Sequence, residues 1–467
     1  MTAASVAPST RPTIAARIDR LSPSPTLLRL VFWISIAGFF EFYDLFMTGY
    51  IGVGLVQAGI YQPATPNFFD IHGLASFVGS GFSGMFVGAL FLGRVSDVFG
   101  RRATFTYSLL GYSVATLIMA FMSTPEMIDL WRFVAGVGIG VQLITIDTYV
   151  TEITPKEGRG QYIAVSQLVA FSAVPFAALA SLLLIPHAFF GLAGWRFVAI
   201  IGALGALFVP IMRAKLPESP RWLESRGRAA EADELIGKME EGVRRDVGHE
   251  LPPPKVLPDE GAEFQRGAWA EIFSPQYRVR TLMLTVFNVF QAIAFYGFAA
   301  WVPTLLISEG ITVTKSLAFV FIIAILNPLG PLIATRFADR VERRWQIVGL
   351  ALIIAVCGLL WSLQRSAAGI IILGGLITVA NNWFSCAYHA YQAELFPTRI
   401  RAQAVGFVYS WSRFSLIFVG FLIAAVLKSY GSTGVFTIIA IAMLIVALTI
   451  GVFGLNTNRL RLEAISR

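Results

Sequence analysis

The stretch Gly93-Arg94-Val95-Ser96-Asp97-Val98-Phe99-Gly100-Arg101-Arg102 returns in altered form as Thr335-Arg336-Phe337-Ala338-Asp339-Arg340-Val341-Glu342-Arg343-Arg344. Arg94, Asp97, Arg101 and Arg102 recur as Arg336, Asp339, Arg343 and Arg344, 242 residues later. Further on, Tyr149-x-x-Glu152-x-x-Pro155-x-x-x-Arg159-x-Gln161 returns at the same offset as Tyr391-x-x-Glu394-x-x-Pro397-x-x-x-Arg401-x-Gln403. Soluble repeat arrays recur every ~20–50 residues. A period this long in an apolar chain points to two homologous halves, as many transporters are built.

Hydrophobic residues make up 56% of the chain and charged residues 14%, against roughly 25% charged in a soluble domain. The mean hydropathy is +0.69. Twelve spans are predicted, at 30–53, 75–92, 103–122, 127–150, 161–184, 195–212, 281–307, 316–335, 347–364, 369–392, 403–427 and 433–455. Crossing ~30 Å of hydrocarbon takes about 20 apolar residues. The predicted fold class is an all-α polytopic membrane protein, twelve transmembrane helices in two pseudo-symmetric six-helix bundles. The expected divisions are a cytoplasmic tail (1–26), a first bundle (27–212), a cytoplasmic linker (213–280), a second bundle (281–455) and a second tail (456–467). Residues 1–20, rich in Ala, Ser, Thr and Pro, are expected to be disordered. The linker should hold a charged helix around 221–247. The first span lacks a small-residue cleavage site and is expected to be retained.

Of the 36 Lys and Arg residues, 30 fall on one side if both termini are cytoplasmic. That asymmetry sets the orientation and accounts for the net charge of +8 without a nucleic-acid partner. Cys357 and Cys386 fall within spans and form no disulfide framework. The chain has no phosphate-binding Gly-rich loop ending in Lys-Ser/Thr, and no His/Cys cluster at metal-ligand spacing. No enzyme activity, cofactor or metal is therefore expected. The absence of Asn-x-Ser/Thr suits a bacterial inner membrane, and the expected state is a monomer in the bilayer.

The Gly93–Arg102 stretch resembles the loop signature of the major facilitator superfamily. Arg132-Phe-Val-Ala-Gly136-Val-Gly138-Ile-Gly140, Pro217-Glu218-Ser219-Pro220-Arg221-Trp222-Leu223 and Glu394-Leu-Phe-Pro397-Thr-Arg399-x-Arg401 add to it. Together they are similar to the sugar-porter and organic-ion (metabolite–proton symporter) branch. The glycines of 136–140 are read as close helix packing. The resemblance implies a cytoplasmic gate of Arg94, Asp97, Arg101, Glu152, Arg159, Asp339, Arg343, Glu394 and Arg401. Asp97 or Glu152 would meet Arg159, Arg401 or Arg344 to latch the two halves. Helix capping and topology are the plainer reading of the same charges.

Ionisable groups inside a membrane are costly and mark function. Four stand out: Glu41, Asp44, Arg132 and Arg413. At a rise of ~1.5 Å per residue, Asp44 sits ~21 Å above the inner end of its span, and Arg132 ~8 Å below the outer end of its own. The two are thus at similar height and can pair, as the family resemblance also implies for proton coupling. Separating the pair would favour the protonated acid, linking a proton to the exchange of states. A permanent structural pair is the alternative. Glu41 is either a second protonation site or a partner of a polar neighbour. Arg413 lies ~15 Å up its span, where it would face a central cavity and an anionic substrate, or pair with Glu41.

Gln167 matches a substrate-binding glutamine of sugar porters. Gln291 stands alone where those proteins carry a glutamine pair, and Asn381-Asn382-Trp383-Phe384 lacks their prolines. Asn288, Tyr296, Asn381 and Trp383 complete the candidate substrate-binding set, with aromatic packing as the plainer role for the rings. The sequence thus points to a secondary transporter, most simply a proton-coupled symporter of a small organic anion working by alternating access. The alternatives are a sugar or polyol–proton symporter using Gln167, Gln291, Asn288 and Asn381, and a non-transporting membrane sensor.

Overall fold

The computed structural model describes residues 13–62, 66–67, 71–92, 95–155, 159–254, 269–299, 301–337, 341–396 and 398–457. In the first half, α2 (Pro25–Gln57), α3 (Leu74–Leu92), α5 (Arg101–Ala120), α6 (Pro125–Ile153) and α7 (Arg159–Leu184) are followed by α8 (Gly194–Ala203) and α9 (Gly205–Lys215). Before and between them lie α1 (Ile14–Asp19) and α4 (Val95–Phe99). The connecting segment carries α10 (Pro220–Ser225) and α11 (Ala229–Val247). The second half has α12 (Arg278–Ala299), α13 (Val302–Ser308), α14 (Val313–Ala324), α15 (Leu329–Phe337), α16 (Arg343–Ser362), α17 (Ala367–Glu394) and α18 (Thr398–Phe453).

Ten described helical stretches are long and apolar enough to cross a membrane, and Leu74–Leu90 is a shorter apolar helix. Gln403–Phe453 holds two of the predicted spans. They are separated at Gly431, whose φ of 66° takes it out of the helical region. Several helices outrun the predicted apolar spans, because backbone hydrogen bonding does not stop where the hydrocarbon does. Ser24 caps α2, and Pro25 starts it.

Within the first half, α3 and α6 touch backbone to backbone. A Cβ at Gly84 would lie 2.1 Å from the Phe133 carbonyl oxygen, and one at Gly136 would lie 2.2 Å from that of Gly81. Small residues permit this contact, on which helix association in lipid relies. The halves meet where Gly79 receives the ring of Phe421 and Gly420 rests against Val78.

The duplicated motif closes each half on itself. Arg101 pairs with Glu152 at 2.8 Å, and its counterpart Arg343 pairs with Glu394. Arg102 donates to the carbonyl of Arg213, and Arg344 to that of Gly451, each near the end of the last span of its own half. Tyr149 donates to the carbonyl of Pro217, and Tyr391 to that of Leu455. Glu218 accepts the backbone N–H groups of Arg101 and Arg102 at the start of α5. The expected latch between halves is corrected here for Glu152: its partner is in its own half, because α5 begins beside the inner end of α6. Arg94 and Asp339 lie outside the described residues, as do the side chains of Asp97, Arg159 and Arg401.

The expectation of disorder is corrected for residues 13–20; residues 1–12 lie outside the described residues. Residues 14–19 form α1, capped by Thr13. Glu240 of α11 accepts from Arg17 (2.7 Å) and Arg20 (2.7 Å), and Glu224 accepts from the backbone of Ile14. Asp246 accepts from the backbone of Thr26 at the start of α2. The segment read as a linker is thereby docked on the first half. Burial opposes ionisation of Glu240, but the hydrogen bonds and charges of Arg17 and Arg20 outweigh it and hold its carboxyl below the usual range.

Two outcomes follow from this packing. Replacing Gly84 by Val should cost more than about 3 kcal/mol or prevent folding. Gly111→Ala, with nothing within 4 Å of the added carbon, should stay within about 0.5 kcal/mol; thermal unfolding in detergent measures both. A depressed carboxyl pKa stabilises docking above its ordinary value of 4.5 and loses that contribution as pH falls through the lower folded value. At neutral pH, Glu240→Ala should therefore open Arg17 and Arg20 to trypsin while the unaltered protein stays protected.

Candidate functional site

Polar groups inside the spans gather in three places. The first is the contact of Asp44 (α2) with Arg132 (α6) at 2.5 Å, both side chains 1% exposed. Thr116 of α5 donates to Asp44 Oδ1 at 2.8 Å, and Arg132 donates to Thr48 Oγ1 at 2.6 Å. Thr48 sits one helical turn beyond Asp44, which places it on the same face. Gly81 leaves room for the arginine: a Cβ there would lie 2.9 Å from Nε. Above this pair, Asp129 accepts from Tyr61 (2.6 Å) and Ser76 (2.7 Å), tying α6 to the outer end of α3.

The second place centres on Arg413, in α18 before Gly431, only 2% exposed. It donates to the hydroxyls of Tyr409 (2.6 Å) and Tyr296 (3.1 Å). Its guanidinium carbon lies 4.9 Å from the Tyr409 ring centroid and 5.9 Å from that of Tyr296. Glu41 (α2) is fully buried, and neither of its carboxylate oxygens has a hydrogen-bond partner among the described residues. Its charge is within reach of Asp147 (α6), Arg413 and Asp44. Asp147, on α6, is exposed. His389, at the position equivalent to Asp147 in the second half, packs on Tyr388 and Tyr409.

The third is a narrow cleft between the halves, with a cavity volume of about 40 Å³. Phe46, Tyr50 and Val174 line it from the first half; Phe295, Asn327, Thr378, Asn381 and Asn382 are among the residues lining it from the second. Asn382 donates to both oxygens of Asn327 at 2.9 Å. Phe295 connects this cleft to the Arg413 group, its ring 4.9 Å from that of Tyr296.

The structure thus brings together Asp44 with Arg132, and Arg413 with Tyr296 and the unforeseen Tyr409. It sends other candidates elsewhere. Trp383 donates to Gln346 of α16 at 3.1 Å and lies against Phe337 of α15, so it faces into its own bundle, a correction to its place in the substrate set. Asn288 Nδ2 donates to Gln392 at 2.8 Å, while its buried Oδ1 has no hydrogen-bond partner among the described residues, and Gln291 donates to Ser412 at 3.3 Å within the second half. Gln167 is half-buried on α7. Tyr409 was within reach of sequence reasoning, since it precedes Arg413 by one helical turn.

Residues 30–467 match the family described as sugar (and other) transporter. The chain belongs to this family. It is a multi-pass membrane transporter with the major facilitator fold. It is 30% identical over 446 residues to the putative metabolite transport protein YyaJ of Bacillus subtilis, covering 95% of this chain and 96% of that one. The niacin transporter NiaP of Acinetobacter baylyi is 28% identical over 453 residues, covering 97% and 99%. Among solved structures, the xylose transporter XylE from E. coli in a partially occluded inward open conformation matches with a TM-score of 0.74 at 17% identity, covering 94% of this chain and all of XylE.

For this family member, removing one partner of the buried pair leaves the other charge without compensation. Asp44→Asn and Arg132→Met should each cost about 3–5 kcal/mol. The double replacement should cost less than either alone, a non-additivity read from thermal unfolding of the four proteins.

Proposed function

We propose that the protein is a proton-coupled symporter of a small organic anion, working by alternating access between its two halves. The observation that carries this reading is Arg413. It is a buried guanidinium inside a span whose hydrogen-bond partners, among the described residues, are two neutral tyrosine hydroxyls. A cation there is costly, and a carboxylate is the ligand that guanidinium geometry accepts in a bidentate, charge-assisted contact. The Tyr296 and Tyr409 rings flanking it suit a planar acid. Its similarity to a protein described as a niacin transporter, an aromatic carboxylate carrier by that name, supports the same substrate class.

Asp44 and Arg132 carry the coupling in this reading. While they touch, the carboxylate is compensated. When exchange of the halves separates them, a proton replaces the arginine as the compensating charge. The protein works as a monomer in a bacterial inner membrane with both termini cytoplasmic, the side on which its basic residues collect. A sugar or polyol reading is favoured by one observation, the Asn327, Asn381 and Asn382 amides lining the cleft. It is weakened by Asn288 and Gln291, whose amide N–H groups already donate within the second half.

Thermal-shift screening of organic acids against sugars separates the two. Acids should stabilise the unaltered protein, and Arg413→Ala should remove that response alone. In proteoliposomes, Asp44→Asn should abolish accumulation driven by a pH gradient while sparing counterflow. Stabilisation by sugars that is insensitive to Arg413→Ala would overturn the anion reading.

A further inference from the structure

The buried pair of Asp44 and Arg132 has a third ionisable neighbour. Asp129 stands three residues before Arg132 on α6, a spacing that puts both side chains on one face of the helix. Asp44, Asp129 and Arg132 are each at most 1% exposed. Phe77 of α3 links the two α6 residues. The Arg132 guanidinium carbon lies 5.9 Å from the centre of its ring. The Tyr61 ring, 6.0 Å from that of Phe77, carries the hydroxyl that donates to Asp129 at 2.6 Å. Arg132 Nε has no hydrogen-bond partner among the described residues. The sealed set thus holds two carboxyl groups and one guanidinium, and a single proton makes it neutral. A net charge buried there costs far more than a compensated set.

The hydrogen bonds around Asp129 leave a place for that proton. Tyr61 Oη faces the Pro125 carbonyl (3.2 Å) and Asp129 Oδ1. Ser76 Oγ faces the Gly73 carbonyl (3.1 Å) and Asp129 Oδ2 (2.7 Å). Each hydroxyl carries one hydrogen, so two hydrogens meet four acceptors. A protonated Asp129 donates to Ser76 and releases the serine hydrogen to Gly73. Protonating Asp44 also leaves a need unmet when the pair separates: the freed guanidinium requires another anion. Asp129 is the carboxyl one helical turn from it.

We propose that Asp129 is a second proton-coupling residue, which alternates with Asp44 as the partner of Arg132. While Arg132 holds Asp44, the proton is on Asp129. In the other state the proton has moved from the Asp129 carboxyl to the Asp44 carboxylate, and Arg132 has turned to the Asp129 carboxylate. The negative charge moves one way and the proton the other, so neither state strands a charge. This rests on the coupling role proposed for Asp44 and Arg132 and adds the group that takes the arginine. Asp129 lies on the outer side of the pair in the orientation proposed above. Glu126, exposed and one turn earlier on α6, stands between it and solvent. Tyr61 from the segment after α2, Ser76 from α3, and Glu126 and Arg132 from α6 are the polar and charged groups around it among the described residues.

The test uses the full chain in detergent and needs no substrate. Infrared spectra at neutral pH should show a protonated-carboxyl C=O band that Asp129→Asn removes. Asp44→Asn should remove the same band, because Arg132 then turns to Asp129 and holds it ionised. Its stability cost should accordingly fall toward the lower end of the range given above. Thermal unfolding reads the coupling. Asp129→Asn should lower Tm at least about three times as much in the Asp44→Asn background as it does alone. A band that survives Asp44→Asn, no band assignable to Asp129, or equal drops in Tm in the two backgrounds would each overturn the proposal. Should the double variant not fold, the infrared result on Asp44→Asn decides. Should Asp129→Asn not fold, Tyr61→Phe replaces it; loss of the phenol hydrogen should shift the band, and an unmoved band counts against Asp129. None of these failures touches coupling through Asp44, which falls if accumulation driven by a pH gradient survives Asp44→Asn.

Discussion

The contact between Asp44 and Arg132 is shut off from solvent on every side, and the first half is arranged around it. Two ionised groups in hydrocarbon must be compensated by each other and by hydrogen bonds, or they cost more than a bundle can supply. Thr48 and Thr116 provide those bonds, and the absence of a side chain at Gly81 provides the space. The backbone contact of α3 with α6 holds the arginine in reach. Packing by small residues and burial of charge are therefore one arrangement, since a bulkier α3 would displace the guanidinium that α2 depends on.

A different principle governs the helix ends that carry the duplicated motif. There the duplicated charges tie the entry of the third helix of each half to the exits of its fourth and sixth. Both copies do so with the same residue types: Arg101 with Glu152 and Arg343 with Glu394, then Tyr149 and Tyr391 reaching the chain after the last span. Each half is thus tied on the side where it would otherwise splay. Between the halves, the described contacts include glycine, valine and phenylalanine packing and the ring contact of Phe82 with Tyr296.

Much of this was legible in the sequence. The 242-residue offset revealed the two halves because ion pairs at helix ends demand fixed spacing. Depth arithmetic brought Asp44 and Arg132 to one height because α-helical rise is nearly constant. Pairing between elements was harder. The partner of Glu152 depends on which helix ends lie side by side, and the repeat fits a closure within halves as well as one across them. Trp383 looked like a ligand wall because an aromatic residue in a span carries no mark of which face it takes. Arg17 and Arg20, in a stretch rich in disorder-promoting residues, gave no sign of the carboxylate on α11 that orders them.

The docking of α1, α10 and α11 makes the two halves unequal bodies. One carries α1, α10 and α11 as ballast, held by Glu240, Asp246 and Glu218; the other carries no described counterpart to them. The alternating access proposed above is then better pictured as a hinged door on a weighted frame than as two equal leaves. A fluorophore fused to the start of the chain would travel with the frame, and distance changes during transport would be seen only against a second label on the door.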